Sequence, residues 1–179
     1  MWINARFLDA QGRTLKETGR YEETDDTLLD RAVRVPDLVD PEETRVYEIL
    51  FAMSESTAAR YGKQPGKSFR SVLNDVVIKD NRIPPEGFKN RSYAEHLCQP
   101  VGATYADGQH WDEIDLKLPP ACRKVVVRLM YQSVSWEYLK FLVEENHTDD
   151  WDKRLYEAWA ATGKGEPEVM AEVEAEIAP

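Results

Sequence analysis

The chain has 179 residues, of which 42% are hydrophobic and 31% are charged, and its formal net charge is −10. That balance is typical of a globular protein and excludes an intrinsically disordered chain. The negative charge disfavours nucleic acid and anionic membrane surfaces as partners, and no apolar run approaches the roughly 20 residues that a membrane span needs.

The chain opens with a predicted strand at residues 3–8, where apolar and polar residues alternate, and a turn at residues 9–12 closes it. Residues 14–21 are the predicted returning strand, which Gly19 weakens, and the charged residues 22–30 are a predicted loop. The first residues lack the basic and apolar regions of a signal peptide. A strand that begins so early indicates a segment of a longer protein.

The middle of the chain alternates between strand-forming residues and turn-forming residues. Residues 45–53 are rich in Val, Ile, Tyr and Phe, which fit a half-buried sheet surface. Residues 58–66 are a predicted loop of turn formers, and residues 69–78 are again strand-like. The double proline within residues 80–88 fixes an extended path and ends that strand.

Two further strands are predicted before the pattern changes. Residues 111–118 alternate between apolar and charged side chains, and residues 125–131 contain three consecutive valines followed by Leu129 and Tyr131. Because the strands follow one another with no helix between them, the order excludes a parallel βαβ sheet. It predicts a mainly β fold, an antiparallel β-sandwich of the jelly-roll or Ig-like kind.

The apolar period becomes helical after residue 132. Ser135 is a predicted N-cap for a helix over residues 136–145, and Thr148 for a second helix that carries Trp151 and Trp159. A third helix is predicted over residues 167–177, where the proline suits a first turn.

The predicted organisation is therefore one structural domain. It consists of the sandwich over residues 1–132 and a helical tail over residues 133–179, with two to three short helices packed on the sandwich.

The histidines and acidic residues do not form a known metal or catalytic motif. His96 and Cys98 with Cys122 supply at most three ligands, whereas a structural zinc site wants four, and the alternative is a loop histidine beside a small buried residue. The acidic segment 107–113 either binds calcium or forms a hairpin turn with a solvated rim. There is no GxSxG nucleophile elbow and no glycine-rich phosphate loop. The chain is predicted not to be an enzyme, with no catalytic, cofactor-binding or metal-binding residue.

Aromatic residues are concentrated in the predicted helical tail. They either anchor the tail on the sandwich or form a stacking platform for sugars or cofactors. The members are Trp136, Tyr138, Phe141, Trp151, Tyr156 and Trp159.

The least generic segment lies around the double proline. Asp80 and Asn81 can bond the nearby backbone, Arg82 can fork onto a carboxylate, and Pro84 and Pro85 hold the geometry. This segment is predicted to be either a rigid structural corner or an interaction site.

The same segment carries a family resemblance. Residues 79–88, Lys-Asp-Asn-Arg-Ile-Pro-Pro-Glu-Gly-Phe, resemble a stretch that follows the haem-binding part of certain bacterial multihaem c-type cytochromes. Residues 7–12, 45–48 and 125–136 resemble other strands of the same region, although only the Asn-Arg-Ile-Pro-Pro core, residues 81–85, is distinctive.

The CxxCH haem motifs that define such cytochromes are absent from this chain. The resemblance therefore implies a C-terminal, haem-free accessory domain of an exported electron-transfer protein, in the periplasm or another extracytoplasmic compartment. Haem c would be bound only by an upstream region. The implied partner is that haem-binding domain or a redox partner protein.

Cys98 and Cys122 are 24 residues apart, which permits either a disulfide or two unpaired thiols. The resemblance to an exported protein favours the disulfide. A second functional hypothesis, based on analogy with other appended sandwich domains, is a carbohydrate- or ligand-binding module.

Overall fold

The computed structural model describes residues 1–178. The chain is mainly β, with 33% strand and 19% helix, and its sheets are antiparallel, which confirms the coarse fold class. None of the helices in the described part is long and apolar enough to cross a membrane. In chain order the elements are β1 (Trp2–Leu8), β2 (Thr14–Thr18), β3 (Tyr21–Leu28), β4 (Arg31–Leu38), β5 (Ile49–Met53), α1 (Glu55–Tyr61), β6 (Gly66–Lys67), β7 (Val76–Asp80), α2 (Asn90–Glu95), β8 (Lys124–Tyr131), α3 (Trp136–Glu145), α4 (Trp151–Ala161) and β9 (Glu168–Glu176).

The chain divides into two compact units. The discontinuous unit comprises Met1–Val46 and the chain from Lys117 onward, and the inserted unit is Tyr47–Leu116. This division does not follow the predicted boundary between residues 1–132 and 133–179. The pairing of β1 with β8 joins the two ends of the discontinuous unit, and the pairing of β8 with β9 crosses the predicted boundary.

The discontinuous unit contains a four-stranded sheet in the order β2-β1-β8-β9. Neighbouring β1 and β8 residues pair from Trp2 with Met130 to Leu8 with Lys124. Apolar side chains are buried on both faces of the sheet. Ala5 and Phe7 lie on one face and Leu8 on the other, since side chains alternate along a strand.

Strand β9 occupies the place of the predicted third helix over residues 167–177, so that prediction is wrong. Lys124 to Tyr131 of β8 pair antiparallel with Glu176 to Glu168 of β9. Alanine and glutamate favour helices intrinsically, but the pairing with β8 satisfies the backbone of this segment and overrides the local preference.

A β3–β4 hairpin replaces the loop that was predicted over residues 22–30. Its pairing continues to Leu28 with Arg31, and Leu29 and Asp30 both have positive φ, at 48° and 61°. Two consecutive residues with positive φ form a tight hairpin turn whose twist matches that of the strands. The charged side chains lie mostly on the exposed face of the hairpin.

The core of the discontinuous unit packs the two tail helices against this hairpin. Trp136 of α3 and Trp159 of α4 stack with their ring centroids 5.5 Å apart. The buried cluster comprises Leu28, Val35, Trp136, Leu139, Val143 and Trp159. The predicted helical tail therefore contains two helices. Helix α3 buries its apolar stripe, whereas α4 buries only Trp159 of its predicted stripe and leaves Trp151 and Leu155 exposed.

The helix boundaries follow from capping. The Ser135 hydroxyl accepts a hydrogen bond from the Tyr138 N–H, which confirms the predicted cap and the helix over residues 136–145. Thr148 does not cap α4, contrary to prediction. The Trp151 N–H instead donates to the Asp149 carboxylate at 3.1 Å, and the Thr148 hydroxyl donates to the Asn146 side chain.

Gly19 lies at a close crossing of two backbones rather than inside a strand. Its φ is 68°, and a Cβ added there would sit 2.2 Å from the Ile3 carbonyl oxygen. The Gly19 carbonyl accepts hydrogen bonds from the Trp2 indole and the Asn4 side chain. A glycine is required at this position because any side chain would strike the backbone of β1.

The inserted unit has shorter elements. Its sheet has the order β6-β5-β7. The strand predicted over residues 45–53 is shortened to β5, and the strand predicted over residues 69–78 overlaps β7 only at residues 76–78, since β7 continues to Asp80. Residues 111–118 form no strand, although their side chains alternate, because no segment within residues 1–178 pairs with them. Part of the predicted loop over residues 58–66 belongs to helix α1.

Helix α1 starts where three hydrogen bonds converge on one carboxylate. The Asp75 side chain accepts from the Ser54 and Thr57 hydroxyls at 2.7 and 2.6 Å and from the Ser54 N–H at 2.8 Å. The hydrogen bonds from Thr57 and Ser54 lower the pKa of Asp75 to about 2. Ser54 also accepts from the Thr57 N–H and so caps the helix.

Candidate interaction site

The segment that the sequence singled out begins where β7 ends. Asp80 is buried, and its backbone forms a two-way bridge with Val101: Asp80 N donates to Val101 O at 2.8 Å, and Val101 N donates to Asp80 O at 2.9 Å. A bridge with both hydrogen bonds fixes this end of β7 against a distant loop of the same unit.

Asn81 connects the segment to two further parts of the inserted unit. Its side-chain Oδ1 accepts from the Glu48 N–H at 2.9 Å, and its carbonyl accepts from the Tyr105 hydroxyl at 2.8 Å. Asn81 and Tyr105 are both buried. Since an unpaired buried polar group is costly, these hydrogen bonds hold the backbone in one conformation.

Asp80 and Arg82 form a two-point ion pair. The Arg82 Nε and Nη2 atoms donate to the two Asp80 carboxylate oxygens at 2.8 and 2.7 Å. These hydrogen bonds lower the pKa of Asp80 and raise the pKa of Arg82, although the burial of each group opposes the shift. Asp80 is therefore held as a carboxylate, while the Arg82 side chain stays half exposed.

The proline pair lies in the middle of the corner, residues 80–88, which has both buried and exposed side chains. Pro84 is buried, whereas Ile83 and Pro85 are exposed. The Phe88 N–H donates to the Pro85 carbonyl at 3.2 Å, and the buried Phe88 ring contacts the Tyr93 ring edge-on at 4.6 Å. Asn81, Pro84 and Phe88 thus anchor the corner.

The structure brings the five predicted residues together and divides them by role. Asp80, Asn81 and Pro84 lie in the interior, and Arg82 and Pro85 lie at the surface. The surface side of the corner exposes the Arg82 and Ile83 side chains. An exposed guanidinium and an exposed apolar side chain on one segment suit a protein contact, since arginine is weakly hydrated.

The acidic segment 107–113 is built into the inserted unit through hydrogen bonds. The Asp107 carboxylate accepts from the Asn90 N–H at 2.9 Å, and hydrogen bonds from Asn90 lower the pKa of Asp107. Asp112 accepts from the Tyr47 hydroxyl at 2.9 Å. Residues 1–178 contain no group of three His, Cys, Asp or Glu side chains that could hold a metal ion.

The two cysteines are free, so the disulfide favoured by the resemblance is not formed in this structure. Cys98 is an exposed residue of the inserted unit, whereas Cys122 is buried in the discontinuous unit. His96 ends helix α2, and its ring lies 2.7 Å from the Ser92 carbonyl. His96 therefore lies in the turn that follows α2, and Cys98 comes after that turn.

The tryptophans are divided between core and surface. Trp2, Trp136 and Trp159 are buried, whereas Trp111 is 51% exposed and Trp151 is 67% exposed. Trp111 lies in the inserted unit and Trp151 in the discontinuous unit. In the tail Trp136 and Trp159 are anchors and Tyr156 packs against their cluster, whereas Tyr138 and Trp151 are exposed, so the anchor interpretation holds for part of the aromatic set.

Some of the residues that hold the corner were not identified from the sequence. Glu48 and Tyr105 bond Asn81 from 33 and 24 residues away, and Val101 bonds Asp80 from a loop. No local pattern marks these residues, because each contributes a backbone group or a single hydroxyl.

No family model matches the chain, and neither does any curated protein or solved structure. The resemblance of residues 79–88 to multihaem cytochromes stays a prediction.

Proposed function

We propose that the chain is a non-catalytic accessory domain of an exported multihaem c-type cytochrome. In this role it carries no haem and contacts the haem-binding domain of the same protein or a redox partner protein. The resemblance of residues 79–88 gives the class of parent protein, and the corner gives the contact surface. The proposed compartment is the periplasm or another extracytoplasmic space.

The observation that carries the proposal is the division of the corner into anchors and exposed side chains. Hydrogen bonds from Glu48 and Tyr105 keep Asn81 in place, and Arg82 holds Asp80 as a carboxylate. A paired carboxylate whose pKa is lowered is poorly suited to act as a general acid or base near neutral pH. A rigid surface that presents Arg82 and Ile83 suits recognition, because little conformational freedom is lost on binding.

The charge of the chain is concentrated in the discontinuous unit and not in the inserted unit that carries the corner, and this supports a basic partner for the discontinuous unit. The inserted unit contains eight Lys or Arg and ten Asp or Glu, which gives −2, and the remaining 15 and 23 give −8 for the discontinuous unit. Complementary charge mainly raises the association rate and makes it depend on salt.

We also propose that the four-stranded sheet is one layer of a β-sandwich of the jelly-roll or Ig-like kind. Buried side chains on both faces of β1, such as Phe7 and Leu8, support a layered arrangement. An experimentally determined structure of the full parent protein tests this fold.

The first test is the coding sequence upstream of Met1. Several CxxCH motifs behind a signal peptide are the expected finding. A different upstream domain would contradict the cytochrome proposal and leave the contact surface to be tested by itself.

The second test measures binding of the chain to the haem-binding portion of the parent protein by surface plasmon resonance. Ile83→Asp is expected to weaken binding at least tenfold, because it places a charge in the proposed contact. Val72→Asp is the matched control, since Val72 belongs to the same unit, lies outside the corner and is 94% exposed. Equal losses for the two variants would contradict the assignment of the corner.

A second candidate function is binding of a carbohydrate or another flat ligand, and the exposed tryptophans favour it. The Trp111 ring meets His110 edge-on at 5.1 Å, and Arg154 lies over the Trp151 ring at 4.9 Å. A glycan array with the wild type, Trp111→Ala and Trp151→Ala tests this function. If the wild type binds a glycan and one of these variants does not, the function of the chain is glycan binding.

A further inference from the structure

Strand β9 is a long and open edge of the four-stranded sheet. Among residues 1–178, β8 is the one strand hydrogen-bonded to β9, and all nine β9 residues are exposed. At roughly 3.4 Å per residue the strand extends about 30 Å. Sheet edges are usually protected by shortness, proline, charged side chains or bulges. Strand β9 is long and has no proline or lysine within Glu168–Glu176, so its protection consists of four glutamates and the register shift opposite Leu129 and Met130.

The two faces of β9 differ in chemistry. Ala171, Val173 and Ala175 pair with Leu129, Val127 and Val125 of β8, so these six side chains form one apolar face. Val125 is buried, but Val173 is 62% exposed. The apolar face therefore continues past the covered part of the sheet and ends uncovered at the edge.

The opposite face of β9 carries a row of glutamates. Glu172 and Glu174 form ion pairs with Arg128 and Lys124, which lie on the β8 side. Glu176 pairs with Lys124 in the sheet register. No strand supplies cations on the outer side of β9 within the described residues, so a neighbouring strand there would meet Glu176 and the two carboxylates that already pair with cations of β8.

The glutamate row opposes pairing between two copies of β9. If two copies pair antiparallel about residue 172, 173 or 174 with their apolar faces aligned, residues of equal parity stand opposite one another. Each of these registers places a glutamate opposite a glutamate. Like charges directly opposite are destabilising, and a shift by one residue would place the apolar face on the wrong side.

We infer that the outer edge of β9 binds an extended segment of a partner protein in which basic and apolar residues alternate. The segment adds a fifth strand, its main chain bonds the open edge, and its Lys or Arg side chains meet Glu172, Glu174 and Glu176. The apolar residues of the segment lie beside Val173 and extend the apolar face of the sheet. This mode of recognition takes affinity from the backbone and specificity from alternate side chains. It requires no haem and does not depend on the parent being a cytochrome.

The test uses an eight-residue peptide of alternating Lys and Val, blocked at both ends and fluorescently labelled, with the full chain. A scrambled peptide of the same composition is the control for charge alone. Fluorescence anisotropy is expected to show at least tenfold tighter binding of the alternating peptide, weakening with added salt. Hydrogen exchange is expected to slow within residues 168–176 when that peptide is bound.

Val173→Lys is expected to weaken binding at least tenfold, because it ends the apolar face in a charge. Leu15→Lys, an exposed apolar position on β2 at the other edge of the sheet, is expected to leave binding unchanged. Circular dichroism of both variants separates loss of binding from loss of folding. Equal affinity for the two peptides, protection outside residues 168–176, or a dimer with β9 amides already protected would each overturn the inference.

Discussion

The two units of the chain are stabilised by different means. The discontinuous unit packs six buried apolar side chains between the β3–β4 hairpin and helices α3 and α4. The inserted unit has strands and helices of at most seven residues and is held at its corner by hydrogen bonds to Asp80 and Asn81. A small unit with few regular elements can thus be organised by the hydrogen bonds of buried polar groups such as Asp80 and Asn81.

Each unit also contains a carboxylate that is held by a cation, and the settings differ. In the discontinuous unit, Asp26 accepts from the Trp136 indole at 2.6 Å and from Lys140 at 2.9 Å, and so joins the hairpin to α3. In the inserted unit, Asp80 is held by Arg82 only two residues away. The first ion pair fastens two elements together, whereas the second shapes one corner.

The largest expected effect comes from the core of the discontinuous unit. Trp136→Ala removes a fully packed ring, its stacking on Trp159 and the hydrogen bond to Asp26. Deleting a buried tryptophan costs about 3–5 kcal/mol, so this variant is expected to lose most of the stability of the unit. Urea unfolding followed by hydrogen exchange measures the loss for each unit separately.

Trp151→Ala is the matched control for this core substitution, since Trp151 is a tryptophan on the neighbouring helix that lies mostly at the surface. Its cost is expected to stay within about 0.5 kcal/mol. A comparable loss for the two variants would mean that the apolar cluster does not dominate the stability of this unit.

The next effect concerns the corner of the inserted unit. Asn81→Ala removes the side-chain acceptor of the Glu48 N–H and leaves a partly buried donor unpaired. The expected cost is about 1–3 kcal/mol, with faster amide exchange confined to residues 47–116. Arg82→Ala is expected to cost less, about 0.5–1 kcal/mol, because the Arg82 side chain is half exposed. A larger loss of stability for Arg82→Ala than for Asn81→Ala would mean that the Asp80–Arg82 ion pair, and not the Asn81 hydrogen bond, dominates the stability of the corner.

The sequence predicted the elements that carry their own local signals. Helix α3 has a serine cap and an apolar stripe at helical spacing, and both its boundaries and its buried face are confirmed. Strands β3 and β9 were not predicted. Half of the β3 residues and all of the β9 residues are exposed, so burial does not impose an alternation of apolar and polar side chains on them. Charged residues also fill β3, and helix-favouring residues fill β9. Their structure depends on pairing with β4 and β8, which only the tertiary arrangement provides.

The corner was predictable in part for the same reason. Asp80, Arg82 and the two prolines lie within six residues, and Arg82 pairs with Asp80, so the rigid turn and the ion pair follow from the local sequence. The hold on Asn81 depends on Glu48 and Tyr105, and long-range hydrogen bonds of this kind leave no pattern in one sequence. The exposed edge of β9 could not be predicted, because the sequence of residues 167–177 favours a helix.

A smaller effect compares the acid response of the two units. Hydrogen bonds from Trp136 and Lys140 lower the pKa of Asp26 to about 2, below its ordinary value of 3.8. The contribution of Asp26 to stability is therefore complete above about pH 4 and is lost as the pH falls through 2. The stability difference between the wild type and Asp26→Asn is expected to shrink over that window, measured by urea unfolding at several pH values.

Asp75 supplies the reference within the inserted unit, since its pKa is also about 2. Carbon-detected NMR titration of both carboxyl groups is expected to show low midpoints, with Trp136 indole shifts following Asp26 alone. A midpoint for Asp26 near 3.8 would mean that its link between the hairpin and α3 is not formed in solution.

The smallest expected effect on stability, and the sharpest contrast between the units, comes from the thiols. Cys98 is exposed and Cys122 is 2% exposed, so a thiol reagent is expected to modify Cys98 rapidly and Cys122 only after unfolding. Cys98→Ser is expected to change the unfolding free energy by less than about 0.5 kcal/mol. Mass spectrometry of the purified, unreduced chain makes the measurement, with one label expected per native molecule. No label before reduction, and two labels after reduction and unfolding, would establish the Cys98–Cys122 bridge.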